Sequence, residues 1–319
     1  MRILFAGSPS IAVPSLEFLL KQSCDADNYQ LAGLLTNPDS SRGRSGKPQP
    51  SECADFIKKN EALSIPVLKP ENLDSAAREQ VMALKPDILV SFAYGKIFGP
   101  KFLSLFPLGG INIHPSLLPK YRGPSPIPAA IINNETVTGI TIQQLAEKTD
   151  CGDILYQETI AVNMRETTAS LSERVSKKAA EILPLALKGI TEGTIQPKAQ
   201  DNSAATYCPL LVKEDGLINW SQSAGEIDAR IRAFNPWPLS WTYHGDKQIF
   251  ILKAGIFNSS DDTHPPGLVL GKDKDNGILI QSGKGILTAT ELQYGTKKAL
   301  NWRDFINGAK NFIGARLGV

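Results

Sequence analysis

The sequence predicts an α/β domain with a Rossmann-like, mostly parallel sheet, followed by a small β domain. Three observations carry this. Through residue 189, apolar runs of buried-strand length alternate with segments of helical periodicity, the pattern of βαβ units. A polar stretch without periodicity, 190–206, comes next. From Tyr207 onward, short alternating runs are separated by Gly, Asp and Lys turns, the spacing of a barrel or sandwich. At 319 residues the chain is too long for one ordinary core. We therefore place a first domain at 1–189, a linker at 190–206 and a second domain at 207–319.

Residues 2–6 are an apolar run of strand length, and Gly7-Ser8-Pro9-Ser10 is a turn. A helix opens at 13–20 with Pro14 in its first turn, and 29–36 is a second strand. This βαβ unit implies parallel strands and a right-handed crossover. Its turn lacks G-x-G-x-x-G, so a dinucleotide cofactor is not expected. Residues 37–51, NPDSSRGRSGKPQPS, mix Pro, Gly and Ser with the cations Arg42, Arg44 and Lys47. Such a stretch cannot pack a core and reads as a mobile loop.

A helix at 52–60, a short strand at 65–68, a helix at 75–84 and an apolar strand at 87–92 follow. Ala93-Tyr94-Gly95-Lys96-Ile97-Phe98 leaves the carboxyl end of that strand, the edge at which open α/β sheets bind ligands. Tyr94 reads equally well as a core aromatic.

The next strand is entered through Gly109 and Gly110 and carries Asn112 and His114. Side chains two apart on a strand point the same way, and Pro115 ends the ladder just after them. An amide donor beside an imidazole suits a developing oxyanion with a proton source attached. A hydrogen-bonded structural histidine is the plain alternative. A helix at 127–132 and a strand at 138–145 precede Thr149-Asp150-Cys151-Gly152-Asp153, which by itself is a turn. The longest helix, 167–189, repeats Leu171, Val175, Ala179, Ile182, Leu183 and Leu187 at helical spacing. In the second domain, strands at 216–220, 239–243, 248–252, 268–270, 277–280 and 285–290 are interrupted by one helix at 224–234.

Composition excludes several classes. No apolar run reaches membrane-spanning length and the chain opens on a strand, so a cytoplasmic protein is expected. Cys24, Cys53, Cys151 and Cys208 are scattered and the three histidines isolated, so no metal site is expected. A net charge of +2 announces no polyanion partner. From Lys284 to the end, six Lys and Arg face two acids, a basic bias that a solvated surface explains as well.

Asn112-Ile113-His114-Pro115-Ser116-Leu117-Leu118-Pro119 with Tyr121-Arg122-Gly123 resembles the signature of the 10-formyltetrahydrofolate-dependent formyltransferases. The opening, Gly7-Ser8-Pro9 before Ala12-Val13-Pro14-Ser15-Leu16, is similar to that family's start. Arg230-Ile231-Arg232-Ala233-Phe234-Asn235-Pro236-Trp237-Pro238 resembles the C-terminal domain of its methionyl-tRNA branch. The resemblance spans essentially the whole chain. It implies the formyltransferase fold followed by an OB-like β-barrel, a fold that commonly binds nucleic acid.

The activity it implies is formyl transfer from 10-formyltetrahydrofolate, a folate co-substrate, to the α-amine of initiator methionyl-tRNA, without a metal. By the resemblance, Asn112 donates to the oxyanion. Protonated His114 is a second donor and proton relay, and Asp150 favours its protonated form. Ser116, Leu117, Leu118 and Pro119 lie along the folate, while Ala93, Tyr94, Gly95 and Ile97 line its pterin slot. Arg42, Arg44 and Lys47 contact the tRNA acceptor arm. The aromatics at 234–238 serve as hinge and core packing, and a monomer working away from membranes is expected. The chain departs from the family pattern at Cys151, usually threonine, and in the spacing of its loop cations.

Related readings change only the acceptor, to a sugar nucleotide or a purine precursor, or release formate by hydrolysis. A reading from another class is a non-catalytic nucleic-acid-binding protein. Convergence of Asn112, His114 and Asp150 on one pocket separates the enzyme from the binder.

Overall fold

The structure is a computed structural model that describes residues 1–23, 29–41, 46–60, 64–258 and 263–318. The chain divides into two units. One comprises Met1–Pro126, Val137–Ala161 and Ser172–Cys208; the other comprises Ile127–Thr136, Val162–Leu171 and Pro209–Val319.

The first unit runs β1 (Arg2–Gly7), α1 (Val13–Gln22), β2 (Gln30–Leu35), β3 (Ser40–Ser41), β4 (Pro48–Gln49), α2 (Glu52–Lys59), β5 (Val67–Leu68), α3 (Ser75–Ala83), β6 (Ile88–Phe92), α4 (Pro100–Leu103) and β7 (Gly110–His114). After α5 (Pro126–Ile132), which from Ile127 belongs to the second unit, come β8 (Val137–Gln144), β9 (Ile154–Ala161) and the long α6 (Thr168–Glu192), part of the first unit from Ser172 on. The seven-stranded sheet is ordered β5-β2-β1-β6-β7-β8-β9. Its first five strands are parallel, and β8 and β9 join antiparallel. Central β1 is buried from Ile3 to Ala6, as a parallel strand covered on both faces must be. Ser51 and Asp74 cap α2 and α3 by accepting from Ala54 and Ala77 N–H.

Beyond β6 a ladder at four-residue spacing, Tyr94, Phe98, Phe102 and Phe106, has neighbouring ring centroids 5.4, 5.4 and 5.8 Å apart, the first pair stacked and the other two tilted. It anchors the 93–98 segment into the core that includes Leu4, Leu35 and Leu89.

Two expectations change here. The 37–51 segment contains a two-stranded ribbon, with Ser40 opposite Gln49 and Ser41 opposite Pro48. Backbone pairing gives a stretch without a core this local order. Arg42 and Arg44 lie outside the described residues, and Lys47 is exposed beside β4. The stretch read as a linker begins inside α6, and its remainder is held to the first unit: Lys198 pairs with Ile154, and Thr206 N–H donates to the Pro119 carbonyl.

The second unit carries α7 (Ala224–Ala233), β10 (Ser240–His244), β11 (Lys247–Phe257), β12 (Val269–Asp273), β13 (Gly277–Gln281), β14 (Ile286–Tyr294), β15 (Leu300–Asn301) and α8 (Trp302–Gly308). Its antiparallel sheet is ordered β10-β11-β14-β13-β12, with β15 on β14. The chain end ties the two edges together: Gly314 N–H donates to Val269 and Gly318 N–H to Tyr243. Such a tail blunts the edges that an open sheet exposes. Ile227 and Ile231 of α7 pack with Ile249, Leu287, Phe305 and Phe312 in its core.

The run at 216–220 is not a strand; it makes one bridge, Leu217 to Trp241. The helix α8, capped by Asn301, has no counterpart among the elements expected from the sequence. Phe234 is buried as core packing requires, but Trp237 is 54% exposed and is not core.

Candidate active site

The site is built on one face of β7 and β8. Antiparallel register sets Asn112 opposite Gln143 and His114 opposite Thr141, and directly opposed residues share a face. The 145–153 connection leaves β8 level with the start of β7 and returns over that face. Gly152 allows the return, because a Cβ there would stand 1.8 Å from the Gln144 carbonyl oxygen. Asp150 has φ 54°, the left-handed region that few side chains other than glycine adopt.

The carboxylate of Asp150, 9% exposed, is gripped at both oxygens. Gln143 Nε2 donates to Oδ1 at 2.9 Å and Gly123 N–H to Oδ2 at 2.8 Å. Asn112 Nδ2 reaches Oδ1 only at 3.5 Å, so its donor is weakly engaged. His114 Nδ1 stands 3.4 Å from the same oxygen.

The other imidazole nitrogen, Nε2, is 2.8 Å from the Tyr121 carbonyl. A carbonyl only accepts, so Nε2 carries a hydrogen, and Nδ1 is the ring nitrogen that faces Asp150. Burial lowers the pKa of His114 from its ordinary 6.5, and the Asp150 carboxylate and the Tyr121 carbonyl only partly oppose it. His114 is 4% exposed, so desolvation opposes the protonated imidazole that the resemblance implies, while the carboxylate facing Nδ1 favours it.

Two family models match this chain, "Formyl transferase" over residues 1–187 and "Formyl transferase, C-terminal domain" over 210–310. The chain belongs to the formyl transferase family. It is 47% identical to the methionyl-tRNA formyltransferase of Treponema denticola over 98% of both chains. It is 45% identical to that of Treponema pallidum over the full length of both. Among solved structures, an N-formyltransferase from Helicobacter canadensis superposes with a TM-score of 0.64 at 22% identity, covering 90% of this chain and 98% of the other. That likeness speaks for the fold.

In this formyl transferase the folate-designated residues divide by burial. Ser116 is enclosed and donates to the Lys120 carbonyl at 2.6 Å. Leu118 is buried, its N–H on Thr141 Oγ1 and its carbonyl on Gln157, and Leu117 packs over Gly139. Pro119 is half-buried, with its carbonyl receiving Thr206 N–H.

Ala93, Gly95 and Ile97 are exposed, the first two at positive φ. Tyr94 is not: its ring lies in the aromatic ladder, and among the described residues its hydroxyl finds no hydrogen-bond partner. Burial pushes that phenol up to about 12. Only its main chain is outward-directed, the carbonyl receiving Asn37 Nδ2 at 2.9 Å.

Sequence reasoning assigns no role to Gln143, to Gly123 N–H, to Arg122 or to Gln200. A signal existed for Gln143: with Thr141 it forms the polar side of a strand whose other side is Ile140 and Ile142. Gln200 had none, lying in a polar stretch without periodicity. Among the described residues there is no group of three or more His, Cys, Asp and Glu able to hold a metal.

Proposed function

We propose that this enzyme transfers a formyl group from 10-formyltetrahydrofolate to the α-amine of initiator methionyl-tRNA. The observation that carries the reading is the meeting of Asn112, His114 and Asp150 on one sheet face of a chain aligned end to end with methionyl-tRNA formyltransferases.

The residues present fit a folate donor. Exposed backbone at Ala93 and Gly95 offers hydrogen-bonding edges and Ile97, 73% exposed, an apolar surface. Because Ser91 is paired with Asn112, this segment leaves the sheet beside the catalytic strand. Ser116, Leu117, Leu118 and Pro119 shape the neighbouring wall from behind. The donor supplies a formyl carbon on a nitrogen that must be protonated to leave.

Asn112 Nδ2 is the group free to donate to the formyl oxygen as it gains charge; one such donor is worth about 3 kcal/mol of barrier. Nδ1 of His114 and Oδ1 of Asp150 share the site at which the amine's proton is received and from which it passes to the folate nitrogen as the formyl C–N bond breaks. Gln143 and Gly123 keep the carboxylate aimed while that proton is in transit. Desolvation of His114 keeps the ring able to accept at neutral pH.

Arg42, Arg44 and Lys47 of the 37–51 segment supply cations for the tRNA phosphates, and the antiparallel C-terminal unit adds its basic end. The enzyme acts as a cytoplasmic monomer. Among the described residues no helix is long and apolar enough to cross a membrane.

Transfer of labelled formyl from 10-formyltetrahydrofolate tests this, with methionyl-tRNA, an amino-sugar nucleotide and no amine compared. Label is expected on methionyl-tRNA, and His114→Ala is expected to reduce its rate by about 10²- to 10⁴-fold. A faster reaction with the sugar, or formate released without an amine, sinks the assignment.

A further inference from the structure

We propose that Gln200 is a positioning residue for the transfer step: its amide, oriented by Arg122, locks the Asp150 main chain so that the carboxylate stays aimed at His114. The proposal rests on the formyl-transfer reading of the site.

Asp150 occupies a backbone region that L side chains avoid, so something outside the loop must hold it there. Gln200 Nε2 supplies that hold. It donates to the Asp150 carbonyl at 2.9 Å and to the Gly152 carbonyl at 2.7 Å, clamping the loop on both sides of Cys151. An amide fits such a place in either of two orientations, and only one presents hydrogens. Arg122 selects it. Its Nε and Nη2 donate to Gln200 Oε1 at 3.1 and 2.7 Å, and a guanidinium cannot accept. The oxygen is therefore drawn to Arg122 and the nitrogen is left for the two carbonyls.

Arg122 is itself fixed. It is 2% exposed, its Nη2 donates to Asn202 Oδ1 at 2.8 Å, and its Nη1 donates to the Tyr207 hydroxyl at 3.3 Å. Arg122 N–H donates to Thr206, and Cys208 N–H donates back to the Arg122 carbonyl. These bonds register 119–123 against 206–208, and the first of those segments contains the Tyr121 carbonyl that holds His114 Nε2. One strap thus fixes both members of the proton-handling pair, Asp150 through Gln200 and His114 through Tyr121. Ionisable groups near the pair include Arg122, the Cys151 thiol next to Asp150 in the chain, and the Cys208 thiol, which burial pushes up.

Gln200→Glu is the discriminating variant. It keeps the side-chain length and an acceptor for Arg122, but a carboxylate has no hydrogen for the two carbonyls. Full-length enzyme is compared with the variant in kcat, in KM for both substrates, in thermal midpoint and in side-chain ¹⁵N NMR of its histidines.

The expected result is a kcat lowered on the order of 10²-fold with both KM values within about threefold, as for a misaimed group. One histidine should also change the shifts of its ring nitrogens, because Nδ1 of His114 loses its facing carboxylate. If Gln200→Glu melts early, Gln200→Met removes the donor without adding charge and carries the same expectation. A kcat within about twofold of native overturns the proposal and leaves the formyl-transfer reading standing. So does a fall in kcat matched by a fall in thermal midpoint with the histidine signals unmoved. If the native enzyme formylates no amine, that reading fails instead. The histidine spectrum then decides alone, with unchanged signals overturning the positioning role.

Discussion

Each unit buries an aspartate, and the two are treated oppositely. Asp228, on α7 in the second unit, takes Arg165 Nη1 on both oxygens at 2.9 and 3.0 Å and Arg232 Nε at 2.9 Å. Its charge is matched by cations and its lone pairs are occupied. Asp150 in the first unit is held by an amide and a backbone N–H, both neutral, with the His114 imidazole 3.4 Å away. Its charge is fixed in place but not cancelled. Saturation by guanidinium makes a carboxylate a structural clip, whereas neutral donors leave it able to trade a proton. The difference lies in the partners, since both are nearly enclosed aspartates.

The contrast breaks first at Asp150. Asp150→Asn is expected to cut kcat by about 10³-fold, as loss of a proton-handling group does. Its folate KM should change little, because the carboxylate's partners, Gln143 of β8 and Gly123, are not among the residues assigned to the folate wall. A kcat within tenfold of native would make Asp150 another clip.

Asp228→Asn should do the reverse. It leaves Arg232 buried without its anion, which costs about 3–5 kcal/mol of stability. Activity measured well below the melting temperature should persist; denaturant unfolding and initial rates on the same sample decide it.

The pH dependence sharpens the contrast. His114 has its folded pKa lowered, so it contributes stability that is complete above the unfolded value of 6.5 and is lost as pH falls through the folded one. Native enzyme should therefore lose thermal stability on acidification from neutrality faster than His114→Gln, by at most about 1.4 kcal/mol per pH unit for one proton. Parallel curves would mean that the imidazole is not held neutral.

Tyr94→Phe carries the smallest effect. Removing a buried hydroxyl without a partner should leave stability equal or raise it by about 1 kcal/mol, with folate KM unchanged. A raised folate KM would show that the hydroxyl serves the pterin.

Much of the first unit was legible in the sequence because its strands are buried on both faces and read as continuous apolar runs. Asn112 and His114 were legible as a pair because strand alternation alone puts them on one side. Asp150 was legible through family resemblance. The burial of His114 was not, since it depends on how completely the folded chain excludes water from that ring. The ribbon of β3 and β4 and the helix α8 were missed because two-residue strands and a seven-residue helix leave hardly any periodicity to detect.

Local pattern along the chain set the alternation of elements and the class of each half, and it put Asn112 and His114 on one side of a strand. What holds those side chains was settled only when distant segments met. Gln143 faces Asn112 through antiparallel register, Gly123 N–H arrives 27 residues before the carboxylate it grips, and Gln200 arrives 50 residues after the carbonyl it clamps. Hydrogen bonds over such separations depend on where the chain returns in space, and no local periodicity encodes that.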